Sequence, residues 1–170
     1  ALSALSAMPS PSTSPSSLVT VGWREWVALP ELGLLAVRAK VDTGAATSAL
    51  HAFDVHTERD GGALVARFRA KPIRTPATLV VDCVAPVVDQ REVTSSSGHS
   101  ELRVVIGTQL RLGTKADAPT WGIEVTLTDR SLLRFPMLLG REAMEGAVLV
   151  NPGASDLLGR VLTPDLFYSR

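Results

Sequence analysis

An all-β domain, a barrel or a sandwich, is the fold class this sequence predicts, and two observations carry the prediction. Short runs rich in Val, Leu, Ile and Thr recur along the chain, each bounded by Gly, Pro, Asp or Ser. No stretch holds a 3.6-residue apolar period beyond a turn or two of helix. At 170 residues, the chain can build one domain with a real core and still carry a tail.

The elements follow in order. Residues 1–18 are mostly Ser, Pro and Ala without apolar periodicity, which predicts a disordered tail or linker. The texture changes at Val19, and residues 19–162 are expected to form the domain, with 163–170 as a C-terminal tail. Strands are expected in "EWVALPEL", "LLAVRAKVD", "ALVARFRA", "TLVVDCVAP", "ELRVVIGTQLRL", "GIEVTLTD", "RFPMLLG" and "GAVLVNPG". Between them, "RDGG", "KPIRTP", "SSSGH", "GTKADAP" and "TDRS" supply turn chemistry. "TSALHAF" and "REAMEG" are the two segments expected to make short helical turns. Even spacing of such strands points to a barrel or sandwich.

Composition removes several function classes. Lysine plus arginine and aspartate plus glutamate both number 17, so no basic excess exists to displace phosphate counterions, and nucleic acid is not expected as a partner. The same balance argues against a polybasic membrane-surface protein. No apolar run reaches the roughly 20 residues of a membrane span. The N-terminal stretch has no positive charge ahead of its apolar residues, so it does not read as a secretory signal, and a cytoplasmic location is the default expectation. One cysteine, Cys83, rules out an internal disulfide and a cysteine-based zinc cluster. A hydrophobic content of 45% suggests apolar surface covered by a partner.

The chemistry centres on "AKVDTGAATSALHA". A strand ending in Asp42 would deliver a carboxylate to the floor of a cleft, and Gly44 lets the backbone turn tightly beneath it. Thr43 can hydrogen-bond across to an equivalent loop, and Ala45 leaves room for a close neighbour. The plainer reading of "VDTGA" is an ordinary Asx-type turn. A second segment, "FPMLLGREAM", sets apolar residues before Gly140 and Arg141. Gly140 has no side chain, so this segment can pass close beneath the Asp42 loop.

"DTGA" followed far downstream by apolar-apolar-Gly-Arg resembles the retropepsin-type aspartic peptidases. Together with "GWREWVALPELGL", "APVVDQREVTSSSGHSELRVVI", "IEVTLTDR" and "VNPGASDLLG", it is similar to the bacterial retropepsin-like domain often labelled "ATP-dependent zinc protease". The resemblance runs from Val21 to about Arg160. It implies a closed β-barrel with a flap hairpin and one or two short helices, acting as a homodimer on a peptide or protein substrate. Each chain would supply one catalytic Asp42, positioned with Thr43 and Gly44. Substrate contacts would come from Lys40, Ala45, Ser97, Gly98, His99 and Arg141. In some relatives the domain is linked to enzymes that add glutamate tails to proteins, which suggests a glutamate-tailed substrate. The flap would be the hairpin "VVDQREVTSSSGHSELRVVI", with a flexible tip at Ser95 to Ser100.

Two departures from that pattern stand out. Retropepsins often carry an acidic residue after Asp-Thr-Gly-Ala that pairs with the Gly-Arg arginine, and here "ATS" stands in its place. Lys40 occupies a position that is usually apolar. Residues two apart on a strand share a face, so Lys40 is expected beside Asp42, where it and Arg141 would favour acidic substrates. The bland alternative turns Lys40 to solvent and pairs Arg141 with Glu142 or Asp156.

The "zinc" and "ATP" of the label find little in the residues. His51, His56 and His99 form no His-Glu-x-x-His, and a zinc site needs three or four converging ligands. "GTQLRLGTK" lacks the spacing and the Gly-Lys-Ser/Thr ending of a phosphate loop. No cofactor or metal is therefore expected. Ser95, Ser96 and Ser97 beside His99 lack a Gly-x-Ser-x-Gly elbow and read as a hairpin tip rather than a serine-hydrolase site. Cys83, in an apolar strand, reads as a small core residue, and Trp23, Trp26 and Trp121 as core or dimer packing. A noncatalytic module that binds acidic peptides, or a zinc-dependent hydrolase, are the alternatives to a peptidase.

Overall fold

A computed structural model of the chain describes residues 17–74, 76, 78–94 and 97–169, the side chains of 93 and 94 excepted. The expected tail at 1–18 lies outside these residues but for Ser17 and Leu18. The strands are β1 (Val19–Val21), β2 (Arg24–Leu29), β3 (Leu34–Asp42), β4 (Ser48–His51), β5 (Phe53–Asp60) and β6 (Ala63–Ala70), then β7 (Val81–Thr94), β8 (Ser100–Arg111), β9 (Thr120–Thr128), β10 (Met137–Gly140) and β11 (Val148–Val150). One α-helical turn, α1 (Arg141–Met144), follows β10, as "REAMEG" predicts. Short 3-10 turns cover Pro30–Leu32 and Pro164–Tyr168.

Nine strands form one sheet in the order β2-β3-β10-β4-β9-β8-β7-β6-β5. A further pairing of β2 with β8, at Ala28 opposite Arg111, closes the sheet into a barrel. The pairings β3–β10 and β4–β9 are parallel, and both run through the segments around Asp42. Strands β1 and β11 make a separate parallel pair. The alternation on β3 tells which way it faces: Val37, Ala39 and Val41 are buried, while Arg38, Lys40 and Asp42 are not. The barrel interior is filled by Leu29, Leu34, Leu50, Ile106, Leu110 and Met137 with their neighbours.

One expectation is corrected. "TSALHAF" does not make a helical turn, because Ser48–His51 is strand β4, paired with β10 on one side and β9 on the other. Two ladders of backbone bonds outweigh the helix propensity of Ala49 and Leu50. The segment expected as a C-terminal tail, 163–170, makes contact with β3. Its Tyr168 hydroxyl takes the Ala36 N–H and donates to the Ala36 carbonyl on β3.

Cys83 sits in the core, where burial pushes its thiol up to about 12, far from the range of a nucleophile. Trp121 is buried and donates its indole N–H to the Ala143 carbonyl. Trp26 is buried under the Arg38 guanidinium, and Trp23 packs edge-on against Phe135. No helix among the described residues is long and apolar enough to cross a membrane.

Candidate active site

Strand β3 ends on Asp42, and the chain turns immediately. The Asp42 Oδ1 accepts the Gly44 N–H at 3.0 Å, and the Ala45 N–H reaches the Asp42 carbonyl at 3.3 Å. A Cβ on Gly44 would stand 3.2 Å from that same carboxylate oxygen, so the glycine keeps the approach open. Asp42 is half-buried, with Thr43 and Gly44 exposed beside it.

Beneath this loop runs β10, parallel to β3, with Gly140 directly opposite Asp42. The fit is close. A Cβ on Gly140 would lie 2.4 Å from the Thr47 carbonyl oxygen, a distance no side chain survives. Four hydrogen bonds stitch the two segments together. The Gly140 N–H donates to Ser48 Oγ at 3.0 Å, Arg141 N–H to the Ala45 carbonyl at 2.7 Å, and Glu142 N–H to the Ala46 carbonyl at 3.0 Å. The Arg141 guanidinium then donates to the Thr43 carbonyl at 3.1 Å. The acid missing from "ATS" is thus replaced by a backbone carbonyl. Of the acids named as alternative partners, Asp156 takes Arg38 in a bidentate pair, and Glu142 makes no ion pair with Arg141 among the described residues.

Asp42, Thr43, Gly44 and Ala45 therefore form one loop that Arg141 of α1 reaches by its hydrogen bond, with Lys40 exposed on the same face of β3 as Asp42. Across the sheet, Lys40 lies beside Arg24 on β2 and Leu138 on β10. Ser97, Gly98 and His99 stand apart from that loop along the chain, at the tip of the long β7–β8 hairpin, whose last pair is Thr94 with Ser100. All three are exposed, and Gly98 takes a left-handed φ of 84°. Ser95 and Ser96 lie outside the described residues.

Of the histidines, His51 is buried and its Nδ1 accepts the Arg130 N–H at 2.9 Å. Among the described residues, no three His, Cys, Asp or Glu side chains gather into a group that could hold a metal ion.

Sequence reasoning missed two positions. Ser48 supplies the hydroxyl that receives Gly140. Glu25, with no exposure at all, accepts the N–H groups of Gly22, Leu157 and Leu158 and so ties "GWREW" to "PGASDLLG". A glutamate flanked by large apolar residues in "WREWV" was the available signal for a buried carboxylate.

A closed all-β barrel in which a glycine-bearing strand underlies an Asp-Thr-Gly loop defines a retropepsin-like chain. This one belongs to the RimB-like family, described as retropepsin-like aspartic endopeptidase RimB, whose sequence model matches residues 20–160. The chain is 44% identical over 142 residues to a probable alpha-L-glutamate ligase of Desulfotalea psychrophila, covering 83% of this chain and 30% of that protein. It is 45% identical over 141 residues to a protein of the same name from Parasynechococcus marenigrum, covering 83% and 29%. The chain thus spans under a third of the length of these curated relatives. A crystal structure of a Legionella pneumophila protein of unknown function aligns with a TM-score of 0.67 at 26% identity, covering 84% of this chain and 99% of that one.

Proposed function

We propose that the chain is one half of a homodimeric aspartic endopeptidase that hydrolyses peptide bonds in acidic, glutamate-rich segments. The observation that carries the reading is the stitched loop: Asp42 is held at a fixed strand end over Gly140, and each chain has one such carboxylate. Joining two copies about a two-fold axis would set two Asp42 side chains face to face. Carboxylates about 3 Å apart cannot both ionise, so they share a proton. The ionised member would draw a proton from a water, which attacks the scissile carbonyl carbon. The protonated member would donate to the carbonyl oxygen, giving a neutral gem-diol that collapses with the amine leaving. The apparent pKa values would belong to the pair.

The substrate class rests on two supports. Lys40 is exposed on the face that carries Asp42, a cation available to a glutamate side chain. Relatives that share this domain's sequence are named as glutamate ligases. Arg141 has a structural duty at the Thr43 carbonyl, so acid selection falls mainly to Lys40.

The test is cleavage of glutamate-rich and neutral peptides by wild type, Asp42→Asn and Lys40→Met. Wild type should cut the acidic peptide preferentially, Asp42→Asn should lose about 10²–10⁴-fold or more, and Lys40→Met should lose the preference. Equal peptide binding by wild type and Asp42→Asn, with cleavage by neither, would leave a binding module and end the peptidase reading.

A further inference from the structure

A groove of about 900 Å³ runs along β7, β8 and β9 to α1, touching the catalytic loop only through Thr47 and Ser48. That is the upper end of the size range for ligand sites. Its long wall is the edge of β9. Strand β4 pairs with β9 from Val125 to Thr128, so Thr120–Glu124 has β8 on one side and, among the described residues, no strand on the other. Trp121, Gly122, Ile123 and Glu124, all in this half of β9, line the groove. An open strand edge is a ready template for an extended peptide.

The charge of the groove is one-sided. Glu31, Glu124, Glu142 and Glu145 line it, with Arg91 as the cation among the described lining residues. Arg91 is hydrogen-bonded to Asp89 at 2.8 Å and also feels the charge of Glu124 and Glu142, while none of the four glutamates makes an ion pair within 4.0 Å among the described residues. Among the described residues these carboxylates form no group that could hold a metal ion, and four of them lining one groove suit a chain of positive charges. A second feature also asks for a ligand. Thr108 lines the groove at 5% exposure, and its hydroxyl has no hydrogen-bond partner among the described residues. Buried polar atoms left so are uncommon, and each calls for an explanation. Leu32, Trp121 and Ala143 offer apolar wall for the aliphatic stems of lysine or arginine.

We propose that this groove is a second recognition site, taking an extended lysine- or arginine-rich segment of the protein whose acidic portion reaches Asp42. In assigning that segment to the substrate, the proposal rests on the peptidase reading. The two sites would then have opposite charge preference, Lys40 drawing glutamates at the catalytic face and the glutamates of the groove drawing cations. A protein with a basic body and an acidic tail would satisfy both.

Two measurements separate the claims. First, a fluorescent lysine-rich peptide of ten residues is titrated into Asp42→Asn protein and into the same protein carrying Glu124→Gln and Glu145→Gln. A control carries Asp60→Asn and Asp165→Asn, the same charge change away from the groove. Affinity should fall at least about tenfold with the groove pair, fade with salt, and hold in the control. Equal affinity in all three, or an equal loss in groove and control variants, would overturn the site. Second, an acidic peptide with and without a lysine-rich extension is offered to wild type and to the Glu124→Gln, Glu145→Gln variant. The extension should raise kcat/KM through KM in wild type only. If it raises kcat/KM in neither, the segment does not belong to the substrate. Cleavage of neither peptide by wild type would count against the peptidase reading while the binding result still decides the groove.

Discussion

Gly140 is the residue on which the site's geometry depends most. Any Cβ there meets the Thr47 carbonyl at 2.4 Å and the Thr47 carbonyl carbon at 2.5 Å, both backbone atoms that cannot swing aside. Gly140→Ala should therefore push β10 off the Asp42 loop and cost at least about 1–3 kcal/mol, with thermal unfolding as the check. A variant as stable as wild type would mean that the two segments are less closely held. His51 makes a different, pH-dependent contribution. Its Nδ1 accepts the Arg130 N–H, which requires the neutral ring, and burial lowers its pKa from the ordinary 6.5, with Lys71 and Arg130 adding to the effect and Asp129 opposing it. The unfolded chain then takes up this proton more readily than the folded one, so stability is intact above 6.5 and is lost as pH falls from there toward the lower folded value. Between pH 7 and 5 the melting temperature should drop more in wild type than in His51→Asn, which offers an oxygen acceptor in place of Nδ1. Parallel curves would remove His51 as the cause. The placement of Asp42 at a strand end, the turn at Gly44 and the close approach at Gly140 were legible in the sequence because each depends on local chemistry: a carboxylate, a turn, an absent side chain. The partner of Arg141 was not. Sequence offers acids as candidates, and the structure uses a backbone carbonyl.

Among the elements, the β7–β8 hairpin carries a prediction about turnover. Its arms pair through to Thr94 and Ser100, and Gly98 at the tip takes a φ of 84° that proline cannot adopt. If the tip closes over bound peptide, Gly98→Pro should reduce kcat/KM while leaving the melting temperature near wild type, since its described residues, 97–100, are exposed. Unchanged kinetics in the folded variant would take the hairpin out of the mechanism. The hairpin was readable because small polar residues separate two apolar runs. Strand β4 was not, because Ala49 and Leu50 have helix propensity and only the ladders to β9 and β10 make them extended. The lesson is general for short segments: four residues carry too little period to choose their own structure. The acidic groove lay equally out of reach, since its wall is assembled from residues far apart in the chain.

At the scale of the whole molecule, the all-β class and the positions of most strands could be read from turn spacing, whereas the barrel's closure at Ala28 and Arg111 could not. Closure depends on a single long-range pairing that leaves no local trace. The single Asp-Thr-Gly loop per chain makes the second copy the decisive unknown of the account, because half a dyad does no acid–base chemistry. Mixing wild-type chains with inactive Asp42→Asn chains tests this most directly. With fixed wild type, a threefold excess of Asp42→Asn and free exchange, about a quarter of wild-type chains would find a wild-type partner, so activity should fall to about a quarter. Activity that stays proportional to the amount of wild type, whatever the excess, would contradict a shared site.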